Sequence, residues 1–577
     1  MTPPFKRLSD GTLYSGPDYY KDDQDLRLNM DTPKWSHFTT VDVETISLKD
    51  NTAIGVGFAI GPNEAYYVPI LPDPSPMLPR VIAMLSDQRI TKTYHNAVFD
   101  LLALRRLAIE ENLPLPDIWN VQDTALMARI TGHKVALEDI GNELLGHDDL
   151  FSVQDILKTS DKAHPTMLDV HAMGPAHKCI NDVLVTWEMY EYFSKLLTGE
   201  LEECYEVDRE LLCPVLKETE EKGLLLRPDR LESHRQRLTR QVNLLRDIAE
   251  TRYGFNPGSP QQVGYILASQ GDVLPLNRGS KKPSLNTSED VIKKLSNPIA
   301  HLVLGYRKAN KLLSTYVTPW IGEERAYTHF KLDLETGRLA SFDRNLQNIP
   351  PSMRDIFAPD DDEWTYADMS QVEMRGLAYI SKDPVMLQAY KDNQDIHAIT
   401  QQGLWPGSDP KDSSKRGIAK TFNFAMVYYG TTITLAEKTG MPYQVCEDLR
   451  QKWLHTYPVV AAWMQEQFNS HHDYVTDIFG RRMMIRWDLV GKKGKTGRVL
   501  SEAHVRRTQV NYPVQASAAS INKRGFLMCN DWGMDTRLQI HDEFLWNGKV
   551  DVPQELDDIH PEIHVPFEAK QGEYWIK

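Results

Sequence analysis

Acids inside an otherwise apolar, strand-forming run constrain this chain more than any other feature. The run Leu538-Gln-Ile-His-Asp-Glu-Phe-Leu-Trp546 carries His541, Asp542 and Glu543 between apolar neighbours on both sides. Carboxylates there are costly unless a cation compensates them or the chain turns to expose them. Another acid, Asp368, follows the strand-like Glu363-Trp-Thr-Tyr-Ala367 and leads into a helical pattern. An acid that ends a strand and enters a helix is well placed to hold a metal ion.

Between these acids lies Arg416-Gly-Ile-Ala-Lys420-Thr-Phe-Asn-Phe424-Ala-Met-Val-Tyr428. A spacing of four puts Arg416, Lys420, Phe424 and Tyr428 along one helical face. That face carries two cations and then two rings. Cations suit a triphosphate, and rings suit a base and sugar. A generic amphipathic helix buries its rings and solvates its cations, which leaves the coincidence with the two acidic motifs unexplained.

A second acidic set lies upstream. Asp42 and Glu44 are two apart in the strand-like His37-Phe-Thr-Thr-Val-Asp-Val-Glu-Thr45, so both point to one face. Asp100 follows Asn96 by four residues, and Asp182 follows Asn181. Four such carboxylates can hold two hard divalent ions, which activate water and steady a leaving oxygen in phosphodiester hydrolysis. A solvated strand face is the plain alternative for Asp42 and Glu44.

Strands and helices alternate to about residue 200, which predicts an α/β domain behind an irregular, polar lead-in over residues 1–40. From about 200 to 330 the pattern is mostly helical. One polar interruption there holds an exposed Lys281-Lys282-Pro283 loop, and Thr287-Ser288-Glu289-Asp290 can cap the next helix. The rest is mixed, with Asn547-Gly548 as a hairpin-turn signal.

The length, 577 residues, predicts three or four domains. With 65 Lys+Arg against 80 Asp+Glu, the net charge of −15 argues against nucleic acid as a partner. A whole-chain sum nevertheless allows a basic groove in an acidic body. Five cysteines without a CxxC predict reduced, buried thiols. No membrane span or signal segment is evident, so the expectation is a cytoplasmic protein.

The upstream segments, Asp42-x-Glu44-Thr45, Asn96-x-x-x-Asp100 and Asp182 near the start of a helix, resemble the DEDD-type 3′–5′ exonucleases. The downstream elements resemble motifs A, B and C of the family A, DNA polymerase I-like, DNA polymerases. Thr336-Gly-Arg338-Leu-Ala-Ser341, Asn345-Leu-Gln347-Asn348-Ile-Pro350, Leu313-Ser-Thr-Tyr316, Gly480-Arg-Arg482 and Arg507-x-x-x-Asn511-x-Pro-x-Gln515 extend the likeness over residues 40–577.

The resemblance implies an α/β and α+β multidomain chain. A ribonuclease H-like exonuclease domain (41–200) would precede a right-hand polymerase (201–577), with thumb about 215–325, palm about 326–375 and 485–577, and fingers about 376–484. It implies two Mg²⁺ ions per active site, with Mn²⁺ as a substitute, held by Asp368 and Asp542 in one and by Asp42, Glu44, Asp100 and Asp182 in the other. Glu543 would support the first site. Arg416, Lys420 and His397 would meet the triphosphate, with Lys420 also a proton donor to the leaving group. Glu373 would exclude ribonucleotides, and Gln371, Phe424 and Tyr428 would complete the nucleotide pocket. Arg338, Asn345, Gln347, Asn348, Arg507, Asn511, Gln515 and His541 would contact primer–template DNA.

The exonuclease motif departs from its usual pattern. The polymerase branch carries Tyr four residues before the last Asp, where this chain has Lys178. The other branch carries His five residues before it, and His177 stands there as a candidate general base. The plain alternative makes His177 a surface residue in a loop, Ala176-His-Lys-Cys-Ile-Asn-Asp182, with Lys178 doing the positioning or nothing doing it. The lead-in is too short for a 5′-nuclease domain, and no long thumb insertion lies between Phe255 and Tyr316. This compact form resembles a bacteriophage replicative enzyme, a monomer working beside a helicase or primase. A nuclease without polymerase activity and a non-catalytic nucleic-acid scaffold are the competing readings.

Overall fold

The computed structural model describes residues 37–575 apart from 48–49, 72–74, 76, 148–149, 151, 171–172, 278–283 and 493–498, together with residues 5–7 and 13–14. The expected Lys281-Lys282-Pro283 loop and most of the lead-in lie outside the described residues.

A seven-stranded sheet forms the first layer. Its strands are β1 (Phe5–Arg7), β2 (Leu13–Tyr14), β3 (Phe38–Thr45), β4 (Ala53–Gly61), β5 (Glu64–Pro69), β6 (Thr91–Tyr94) and β7 (Val121–Asp123), in the order β2-β1-β5-β4-β3-β6-β7. The lead-in is therefore not wholly irregular: Phe5–Arg7 pairs antiparallel with β5, satisfying backbone groups that an open sheet edge leaves exposed. β3 lies inside the sheet, antiparallel to β4 and parallel to β6. Helix α1 (Ala97–Glu110) follows β6, and α2 (Met173–Phe193) packs on the sheet through Ala176, Cys179, Ile180 and Val183. Gly57 permits this approach, because a Cβ there would stand 2.6 Å from Cys179 Sγ. The segment around His177 is thus helix rather than loop, and Asp182 sits mid-helix rather than near its start.

Helix α3 (Glu200–Glu210) leads into the second part. Its Asp208 is fully buried and accepts hydrogen bonds from Arg481 (2.6 and 2.8 Å) and Lys523 (2.8 Å). Two long helices, α4 (Pro228–Tyr253) and α5 (Pro298–Tyr316), pack together beyond it. Each begins with Pro, whose fixed φ suits a first turn, and α4 ends at left-handed Gly254. Ser288 takes the cap position of the short helix Glu289–Ile292, but its side chain makes no capping bond.

The second sheet is antiparallel. Strands β8 (Trp364–Met369), β9 (Thr536–Ile540), β10 (Glu543–Asn547) and β11 (Phe567–Gly572) lie in the order β9-β10-β8-β11. β9 and β10 are joined by a two-residue turn at His541–Asp542, with His541 at φ 55°. The hairpin turn is therefore there and not at Asn547-Gly548. Asn547 instead accepts the Asp360 N–H at 2.8 Å and donates to Asp361 at 2.9 Å, which commits it to closing the strand. The same part of the chain holds α6 (Val372–Ser381), α7 (Ile396–Leu404), α8 (Ser413–Val427), α9 (Tyr443–Thr456) and the thirty-residue α10 (Glu502–Asp531). α6 to α9 share an apolar core that includes Leu377, Leu404, Phe422 and Trp453. No helix among the described residues is long and apolar enough to cross a membrane. All five cysteines are buried and unbridged.

Candidate active sites

The turn at His541–Asp542 resolves the cost of acids in an apolar run by placing Asp542 at a hairpin tip. Pairing of β8 with β10 sets Asp368 opposite Glu543. The Met369 N–H donates to the Asp542 carbonyl at 2.9 Å, tying the tip to the end of β8. Asp368 and Asp542 thus meet at one end of adjacent strands, although a long stretch of chain separates them. Glu543 is buried behind them, 3.8 Å from Arg354. Asp542 joins Arg338, Glu373, Phe424, Tyr428 and His541 around a cavity of about 270 Å³. Carboxylate oxygens at a polar cavity mouth are a hard donor set that fits Mg²⁺.

One wall of this cavity is held by Glu373. The Tyr428 hydroxyl donates to its carboxylate at 2.6 and 2.7 Å, and Arg338 pairs with the same group. Burial, reinforced by the Glu373 charge, pushes the Tyr428 hydroxyl up to about 12. Gln371, left-handed at φ 56°, precedes α6 and accepts from Tyr390 at 3.2 Å.

Asp412 caps α8 by accepting the Ser414 and Lys415 N–H groups, each at 3.1 Å. Along the helix Arg416, Lys420 and Phe424 are exposed, whereas Ala419, Phe422, Asn423 and Met426 are buried. A ring therefore shares the open face with two cations, as the spacing of four predicts, with Tyr428 just past the helix end. Arg416 donates to Asp395 at 2.7 Å, and Asp395 also accepts the His397 N–H at 2.9 Å.

The expected DNA-contact residues divide into two groups. Arg507, Asn511 and Gln515 are half-buried along α10, and Asn511 Oδ1 is buried with no hydrogen-bond partner among the described residues. Asn348 is exposed. Gln347 is not at the surface: it is 6% exposed, accepts the Ser341 N–H and donates to Leu339 and Gln539. Asn345 accepts the Asn348 N–H and donates to the Ser341 carbonyl, so both shape the loop.

The upstream acids also converge. Asp42 and Glu44 come from β3, Asp100 from the first turn of α1 and Asp182 from α2; Asp100 accepts the Val43 N–H at 2.8 Å. Asp42 Oδ2 is buried without a hydrogen-bond partner among the described residues. Ligand atoms of Asp42, Glu44 and Cys179 lie within 4.8 Å of one another. Burial pushes Glu44 and Asp182 up to about 7, and it raises Asp100 well above the carboxylate range. Neighbouring carboxylates add to each rise, while Lys178 opposes it. Such a cluster calls for positive charge and fits hard divalent cations. Burial raises the Cys179 thiol, keeping it neutral and a poor ligand for them.

Lys178, not His177, shares the Asp182 face of α2. Its ammonium lies 2.5 Å from Asp182 and 3.1 Å from Glu44. His177 is half-buried one residue earlier on the same helix. Asn423 and Trp453, which support His397, carry no local sequence signal because their contacts cross between helices.

Comparison with known proteins places the downstream part of the chain in a family. The profile of DNA polymerase family A matches residues 228–565. The DNA polymerase I of Pseudomonas aeruginosa is 27% identical over 92% of this chain and 63% of its own length. That of Chloroflexus aurantiacus is 28% identical over 88% and 57%. That of Lactococcus lactis is 32% identical over 63% and 43%. The chain thus spans less than two thirds of the length of these relatives. The fold matches the POL domain of Pol1 from M. smegmatis, solved in complex with DNA primer-template and dNTP, with a TM-score of 0.74 at 19% identity, over 96% of this chain and 98% of that one. The profile covers more than half of the chain, which belongs to DNA polymerase family A.

Proposed function

We propose that this chain is a template-directed DNA polymerase that extends a primer 3′-hydroxyl with deoxynucleotides, and that residues 41–200 form a proofreading 3′–5′ exonuclease. The observation that carries the first part is the meeting of Asp368 and Asp542 at one sheet end, beside the cavity that Phe424 of α8 lines. Asp368 and Asp542 would hold two divalent ions, which when bound activate the primer hydroxyl and neutralise the triphosphate. Arg416 and Lys420 bind the β- and γ-phosphates, and Lys420 protonates the departing pyrophosphate. Phe424 and Tyr428 face the base and sugar, and the Glu373 carboxylate, fixed by Tyr428 and Arg338, fills the space a 2′-hydroxyl needs. Arg338, Arg507, Asn511 and Gln515 steady the primer–template, partly in the minor groove, where correct pairs present similar acceptors. In the domain assignment α4 and α5 fall in the thumb, α7 to α9 in the fingers and the second sheet in the palm.

For the exonuclease, the supporting observation is the convergence of Asp42, Glu44, Asp100 and Asp182 with the Asp42 oxygen left without a hydrogen bond. These residues would hold its two ions, with the Lys178 ammonium beside Glu44 and Asp182 on the same face of α2, whereas the expected base His177 stands off that face. A primer-extension assay in Mg²⁺, with and without dNTPs, tests both parts. Wild type is expected to extend with dNTPs and shorten without them. Asp542→Asn is expected to lose extension alone, and Asp42→Ala to lose shortening alone. Degradation under both conditions would mean a nuclease only, and binding without chemistry a scaffold.

A further inference from the structure

We propose that Asn423 is a positioning residue that sets the tautomer of His397, so that its ring presents an Nε2–H donor to the incoming triphosphate. The inference rests on the polymerase reading and deepens it at one residue.

The chain of donors begins at Trp453. An indole N–H can only donate, and Trp453 Nε1 lies 2.7 Å from Asn423 Oδ1. The Thr400 hydroxyl lies 2.9 Å from the same oxygen and is itself within 2.7 Å of the Tyr457 hydroxyl. The Thr400 proton is shared with the Ile396 carbonyl at 2.8 Å, so it is the Trp453 N–H, which can only donate, that fixes the carbonyl end of the Asn423 amide. Its NH₂ end must then point the other way, and it lies 2.8 Å from His397 Nδ1. An amide NH₂ has no lone pair to offer, so Nδ1 accepts. In the neutral ring the proton therefore resides on Nε2.

Several features agree with a neutral donor here. His397 is 3% exposed, and burial pushes its imidazole down to about 4. Asp395 opposes that shift, while the Arg416 and Lys420 charges reinforce it. Nε2 makes no hydrogen bond to the described residues. A third full cation beside Arg416 and Lys420 would be repelled, whereas a neutral N–H adds a bond to phosphate without that penalty. Asn423 itself is completely buried, so it acts only through His397.

The test combines Asn423→Asp with two readouts. In long-range ¹⁵N spectra of histidine-labelled protein, the His397 signal is identified by its loss in His397→Gln. Wild type should be protonated on Nε2 alone. In Asn423→Asp both side-chain oxygens accept, so the ring should become protonated on Nδ1. KM for dNTP should rise about tenfold, the loss of one hydrogen bond to a charged group, while kcat changes less and primer–template affinity stays put. If Asn423→Asp does not fold, the double variant Trp453→Phe, Thr400→Val frees the amide to rotate and should show both tautomers. A wild-type proton on Nδ1, or an unchanged tautomer and KM in the variants, overturns the inference. A wild type that never extends primers overturns the polymerase reading instead, and the tautomer remains measurable.

Discussion

Lys178 Nζ lies 2.5 Å from Asp182 Oδ2, one helical turn along the same face, and so stands among carboxylates that call for a cation. Its ammonium also reaches Glu44 at 3.1 Å. In metal-free protein Lys178→Met should lower stability by about 3 kcal/mol, because it leaves buried acids without their counter-charge. Added Mg²⁺ should recover part of that loss by supplying the missing charge. Thermal midpoints with and without Mg²⁺ check this. An equal drop in both would show that Lys178 does not stand in for a cation.

The proposed nucleotide pocket makes two selectivity predictions. Phe424 has no hydroxyl to stand in for a missing sugar 3′-hydroxyl, so wild type should discriminate strongly against dideoxynucleotides. Phe424→Tyr should narrow that gap by about a hundredfold. Glu373→Ala opens the space beside the sugar and should raise ribonucleotide incorporation by about tenfold or more. Single-nucleotide incorporation with each substrate measures both. Ready use of dideoxynucleotides by wild type, with no gain from Phe424→Tyr, would sink the first.

The buried trio Asp208, Arg481 and Lys523 predicts a pH effect on stability. Burial pushes Lys523 down to about 8 from 10.5, reinforced by Arg481 and opposed by Asp208. Between those values the unfolded chain holds a proton that the native chain lacks, so this group's contribution to stability rises with pH across that window. Below about 8 the full cost of the buried ammonium is present. Lys523→Met should therefore stabilise at pH 7, by about 2 kcal/mol, since Arg481 still pairs with Asp208. The advantage should shrink as the pH approaches 10.5. Asp208→Ala should do the opposite, costing about 3–5 kcal/mol by removing the carboxylate that both buried cations share. Unfolding midpoints across that range decide it.

Binding of primer–template should fall steeply with salt despite the net charge of −15. Arg338 and Arg507 are local cations at the proposed cleft, and releasing counterions from DNA makes affinity salt-dependent. Between 50 and 200 mM salt a loss of about tenfold or more is expected in fluorescence anisotropy. A flat response would place the groove elsewhere.

Much of each site was legible because local periodicity encodes which way side chains point. The period of two put Asp42 and Glu44 on one face of β3, and the spacing of four put Arg416, Lys420 and Phe424 on one exposed line of α8. Turn chemistry misled at Asn547-Gly548, because tertiary bonds to Asp360 and Asp361 claimed Asn547 while the hairpin turned at His541–Asp542. Gln347 looked like a contact residue by motif, yet its amide is spent on Gln539, far along the chain.

By itself the sequence determined the residue types, their order and their faces: acids in strand-forming runs, cations and rings on one helix, and a family A match over residues 228–565. Only the tertiary structure decided which of them meet. The Met369–Asp542 bond that joins the two acids, the Lys178 ammonium between Glu44 and Asp182, and the Trp453–Asn423–His397 relay all link separate elements. Periodicity describes one helix or strand at a time. Contacts between elements depend on how their faces pack and on which buried polar groups must find partners, and that is settled only when the whole chain folds.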